Sequence, residues 1–155
     1  MAFDQAAVLS LFSDVVSVPL ATGLFDQVNQ NEPKSAPGNG ITCAIWVQDI
    51  RPVGRASGLA ATSGIVTFNE RIYTSFVSPD SAEIDPNMLT ACTTLLGAYS
   101  EEFTLNGDAR AIDLLGMYGA PMSATAGYLN QDGKLYRIMT VVLPIILNDL
   151  WSQNA

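Results

Sequence analysis

The chain has 155 residues, a formal net charge of −8, no histidine, and 48% hydrophobic against only 14% charged residues. That length fits one domain, residues 1–155, with a core large enough to fold without disulfides or metal. The missing histidine excludes serine–histidine–aspartate, cysteine–histidine and histidine-ligated metal chemistry, and the acidic balance removes the basic stripe of a general nucleic-acid binder.

Charged residues average about 25% in globular proteins. A chain so poor in charge either has a large apolar core or hides surface in an assembly. Cys43 and Cys92 have no metal-ligand spacing and read as buried free thiols. Val8, Leu11, Phe12, Val15 and Val16 recur at helical spacing, which predicts a helix over residues 3–16, ended by Pro19. The same stretch lacks a basic leader and carries Asp4 and Asp14, so it reads as neither a signal peptide nor a membrane span. Residues 29–40, "NQNEPKSAPGNG", read as a surface loop.

From Ile41 the period becomes two, with Ile41, Cys43, Ile45 and Val47 on the buried face. A second strand follows, with Val66, Phe68, Ile72 and Phe76 in phase. Glu70 interrupts that face, which suggests that the face runs beyond the core there. The two strands flank "RPVGRASGLAATSG", residues 51–64, and form a long antiparallel hairpin around it. "EIDPNMLTACTTLLGAYSEEF" is a helix capped by Asp85, with Pro86 first and Leu89, Cys92, Leu96, Tyr99 and Phe103 facing inward. Gly97 suggests close packing. "NGDARAIDLLGMYGAP" fits a short strand or a helical turn. A second hairpin joins Met122–Leu129 to Lys134–Leu147 through "NQDG". Pro144 marks an edge or a bulge there, and "VVLPIIL" would aggregate as an exposed edge unless a helix or another subunit covers it. These elements sum to an α+β domain: a mostly antiparallel or mixed sheet of four to five strands, covered by helices.

The glycine-rich stretch is no phosphate cradle, because no lysine follows Gly64 and a strand follows instead of a helix. It reads as a flexible hairpin tip, or as a contact to a partner subunit in which Arg51 and Arg55 take carboxylates, with Ser57, Gly58 and Leu59 beside them. Trp151 is a further candidate for an interface. Asp113 lies in an apolar run and needs a partner, for which Arg137 or Arg110 could serve; a structural pair with Arg137 is favoured over a general base. No cofactor, metal or catalytic residue is assigned.

Six pieces in order, "RPVGRASGL", "RIYTSF", "EIDP", "AIDLLGMYG", "AGYLNQDGKLYR" and "VVLPIILNDLW", spread over most of residues 41–151. In order and size the chain resembles the tail terminator proteins of long-tailed bacteriophages with non-contractile tails. That resemblance implies a non-enzymatic virion protein of the neck region, made in the host cytoplasm. It implies a homo-hexameric ring that caps the tail tube, stops its polymerisation and forms the tail side of the head–tail joint. The implied partners are other copies, the major tail tube protein and the head–tail connector or stopper protein; DNA would pass through an acidic ring without specific binding, and no membrane is involved. A connector, stopper or head-completion protein is the nearest alternative, and a small non-catalytic binding domain the next.

Overall fold

The computed structural model describes residues 3–32, 40–54, 60–75 and 81–152. In chain order the elements are α1 (Gln5–Thr22), β1 (Gln27–Asn29), β2 (Ile41–Pro52), β3 (Ala61–Ser75), α2 (Ser81–Glu101), β4 (Ala111–Ile112), β5 (Ser123–Gln131) and β6 (Lys134–Ser152). The strands form a mixed sheet in the order β1-β2-β3-β6-β4, with β5 also on the outer side of β6. Among the described residues only β1 runs parallel to its neighbour; the other pairings are antiparallel. The architecture is the α+β domain expected, with six strands among the described residues instead of four to five.

Both helices pack on one sheet face. Leu11, Val15 and Val16 of α1 and Met88, Cys92, Leu95 and Tyr99 of α2 close over Cys43, Ile45, Val66, Phe68, Ile72, Val141, Leu143 and Ile145. Phe12 stacks on Phe68 at 5.6 Å between centroids. The opposite face carries two smaller clusters at its two ends: Ala44, Tyr73 and Tyr136, and Val53, Ile65 and Ile146.

Several expected boundaries move, each for a physical reason. Asp4 caps α1 by accepting from Ala7 N at 3.1 Å, and Gly23 ends it with φ of 69°. The helix runs through Pro19 instead of ending there. A proline has no N–H to give to the carbonyl four residues back, here Val15. The Tyr99 hydroxyl lies 3.0 Å from that carbonyl and replaces the missing donor. By length and composition α1 also qualifies as a membrane-crossing helix; Leu11, Val15, Val16 and Pro19 are buried in this fold, while Leu9 and Leu20 are exposed.

Helix α2 starts four residues before Asp85, so Asp85 and Pro86 lie inside it. Its buried row is Ile84, Met88, Ala91, Cys92, Leu95 and Tyr99. Leu89 and Phe103, expected inward, are 57% and 49% exposed. A Cβ at Gly97 would meet nothing within 4 Å, so that glycine is not a close-packing position. Both hairpins form, but the first has a shorter connection than the expected residues 51–64, because the strands stay paired further: β2 pairs with β3 from Ile41↔Thr74 to Pro52↔Gly64, with a bulge between Val47 and Asp49. In the β5–β6 turn Asp132 and Gly133 take φ of 53° and 75°, as a tight primed turn requires.

Strand β6 is interior, not an edge. Pro144 pairs with Thr67 of β3 on one side, and on the other its carbonyl accepts from Asp113 N at 2.9 Å. A strand residue's N and O point to the same side. The missing N–H of Pro144 therefore faces the gap between the β5 register, which ends at Ser123↔Val142, and the β4 register, which begins at Ile112↔Ile145. That gap, and no bulge, accommodates the proline.

The largest correction concerns Glu70. It lies at the centre of the core, fully buried, and not past its end. Its Oε2 is 2.7 Å from the Tyr99 hydroxyl and its Oε1 is 3.4 Å from Cys43 Sγ. Tyr99 has one hydroxyl proton and two oxygen neighbours. If that proton serves the orphaned Val15 carbonyl, Glu70 must be the donor to Tyr99, and so must be protonated. Burial pushes the Glu70 carboxyl up to about 7, against the opposing hydrogen bonds from Tyr99 and Cys43. Asp14 is raised to about 6, by burial first and then by the hydrogen bond and charge of Asp108.

The sign of the pH effect follows. Between 4.5 and about 7 the folded protein holds a proton on Glu70 that the unfolded chain has released. Stability is therefore greatest below that window and is lost as pH rises through it, by on the order of 3 kcal/mol at about 1.4 kcal/mol per pH unit. Urea midpoints should fall from pH 5 to pH 8. Glu70→Gln keeps a neutral donor and acceptor in place, and should flatten most of that slope; a variant with the wild-type slope would show that Glu70 is ionised in the fold.

Candidate assembly surface

The start of "RPVGRASGL" and the segment "AIDLLGMYG" meet in space. Arg51 sits near the end of β2, opposite Ile65. Its guanidinium lies over Gly119, where a Cβ would come within 2.9 Å of Arg51 Cζ. Two residues on, Val53 donates its N–H to Ser63 O at 2.9 Å and packs with Ile65, Ile146 and the ring of Tyr118. Arg55, Ser57, Gly58 and Leu59 fall outside the described residues. Among the described residues no carboxylate pairs with Arg51.

Asp113 builds the second half of this surface. Its carboxylate is buried and accepts from Met117 N at 2.8 Å and Tyr118 N at 3.1 Å. The expected ion pair with Arg137 does not form. Asp113 is hydrogen-bonded beside Pro144, seven residues along β6 from Arg137, a separation of about 23 Å at strand rise. Two backbone donors satisfy the buried carboxylate in place of a cation. Arg137 instead bonds Asp85 Oδ1 at 2.9 Å and Gly127 O at 3.1 Å, and lies 4.5 Å from the Tyr128 ring centroid. Arg110 reaches Asn148 Oδ1 at 3.4 Å.

Gly116 completes the loop. It has φ of 69°, and a Cβ would stand 2.6 Å from Gly119 O and 2.8 Å from Pro121 N. A left-handed backbone in so tight a space admits glycine and little else. The result is a fixed loop that holds large apolar side chains in solvent: Leu115 is 86% exposed and Met117 70%. Sequence reading overlooked both. The signal was present, since "LLGM" is too short for a buried strand and is bracketed by a carboxylate three positions before Gly116 and a second glycine three after it.

Trp151 packs within its own chain. Its ring meets Phe3 edge-on at 5.2 Å, in a short antiparallel bridge. A Cβ on Gly64 would press within 2.9 Å of it. At the other end of β6, a groove of about 410 Å³ opens between α2 and the β5–β6 hairpin. Met88, Leu89, Ala126 and Met139 line it, and the Asp85–Arg137 pair stands at its rim. A second groove of about 380 Å³ lies between the two helices and contains Asp14 and Glu102. Among the described residues no three His, Cys, Asp or Glu are grouped to hold a metal ion.

No protein-family profile matches the chain, and no curated protein does. Among solved structures, a chain from the virion of a native gene transfer agent particle is similar over 94% of this chain and 99% of that one, at 11% identity and a TM-score of 0.45.

Removing the Asp113 carboxylate strands two donors at once. Asp113→Ala should lower stability by about 1–3 kcal/mol and speed hydrogen exchange at the Met117 and Tyr118 amides. Unchanged exchange at those amides would mean that the loop is held by its apolar anchor alone.

Proposed function

We propose that this chain is a non-enzymatic virion subunit of the tail-terminator type. On this reading six copies close a ring on the last ring of a tail tube, end its growth and prepare the joint to the head. The observation that carries the reading is the rigid apolar surface at Leu115 and Met117. Among the described residues these are the two most exposed large apolar side chains, the kind that an interface between subunits covers. The order of the six sequence pieces supplies the particular role. Two of those pieces, read separately along the chain, turn out to build this one surface.

The mechanism on this reading is geometric. A tube grows because each ring offers an edge that templates the next. A terminator presents one face that fits that edge and a second face that does not. The partners are then other copies, the tail tube protein and the connector or stopper protein of the head. With a net charge of −8 per copy, a ring that turns its acids toward the bore would repel DNA and let it slide. The chain takes no cofactor and no membrane in this role.

Electron microscopy of particles made without this gene tests the reading. Overlong, headless tubes are the expected result. Tails of normal length beside unattached heads would move the protein to the connector side of the joint. Intact virions would overturn the proposal.

A further inference from the structure

The exposed loop and the apolar groove lie at different places along β6. The loop is tied to the register of Ile145 and Ile146 through β4. The groove is built around Met139, near the start of the strand. About 20 Å of strand separates Ile145 from Met139 at 3.3 Å per residue, and no residue of the loop is among those that line the groove of its own copy. We propose that Leu115 and Met117 of one copy insert into the groove between α2 and the β5–β6 hairpin of the next, as a repeating head-to-tail contact. This rests on the reading of the chain as a subunit of an assembly, and adds which two surfaces meet.

Three features commit the groove to a second copy. It is concave and almost wholly apolar, lined by Met88, Leu89, Ala126 and Met139, and large enough for two side chains of this size. The loop is already fixed by Asp113 and Gly116, so little order is lost when it docks. The charges also match. Arg51, beside the loop, has no carboxylate among the described residues, while Asp85, at the groove rim, is 69% exposed beyond its bond to Arg137. A contact between two different patches of the same chain propagates, and closes only as a ring.

Two full-length single-cysteine additions test it, Met117→Cys and Leu89→Cys. Both positions are exposed, so neither change touches the core. Cys43 and Cys92 are buried, and the unsubstituted protein serves as the blank. Under mild oxidation of concentrated protein, an equal mixture should give a disulfide-linked pair in yield roughly tenfold above either variant alone, because docking raises the local thiol concentration. Leu115→Asp placed in the Met117→Cys chain should abolish that excess. Equal yields in mixed and separate samples, or no linked pair at millimolar protein, would overturn the proposal. Linked pairs together with normal tails in the deletion strain would keep this contact and discard the terminator role. Overlong tubes with no linked pair would do the reverse.

Discussion

A carbonyl that lost its donor organises this core. Pro19 lies inside α1 and leaves the Val15 carbonyl without its helical partner. The Tyr99 hydroxyl crosses from α2 to meet it, and Glu70 of β3 and Cys43 of β2 stand behind that hydroxyl. One short polar chain thus ties both helices to the two strands beneath them, where the surrounding residues are wholly apolar. Apolar contact alone lets a helix slide or turn on a sheet at small cost. A buried hydroxyl with a single proton allows far less, since a shift leaves a polar group unpaired in a low dielectric. The network also sets which stripe of α2 faces inward, because Tyr99 has to point at Val15.

That constraint explains what was legible in the sequence and what was not. Period-two alternation from Ile41 and again from Val66 located the central strands, and "NQDG" located the second turn, because each signal is local. The inward face of α2 was half right. Two overlapping rows of apolar residues both fit a helical period, and only the partners of Tyr99 choose between them. Glu70 was misplaced for the same reason: a carboxylate in an apolar row reads as the end of a core until its hydrogen-bonding neighbours, 29 positions away in Tyr99 and 27 in Cys43, are known. Pro144 misled in another way. Its tolerance comes from a gap between two short strands, and nothing in its own neighbourhood announces that gap.

The assembly surface was legible in pieces. Arg51 and Asp113 were singled out, Asp113 with the wrong partner. Charge pairing is the first expectation for a buried carboxylate in an apolar run, yet two backbone donors serve as well and need no second side chain. The side chains that matter at the surface, Leu115 and Met117, were passed over, because their segment fitted a short strand or a helical turn equally well. Their exposure follows from a fold whose core has no room for them, although the bracketing of "LLGM" by Asp113 and Gly119 already marked a loop.

The register of β3 against β6 has a kinetic consequence. Those two strands pair along nearly their whole length, between residues roughly 60 to 90 positions apart in the chain. Each is also half of a hairpin that closes locally, β2 with β3 and β5 with β6. Hairpins form in microseconds, whereas joining them requires a long loop, including all of α2, to close first. During that interval both inner strands carry bare backbone edges and the run "VVLPIIL" lies open. A chain whose hairpins close before they join exposes its own sheet centre as its most adhesive surface, and high synthesis rates or raised temperature then set folding against aggregation.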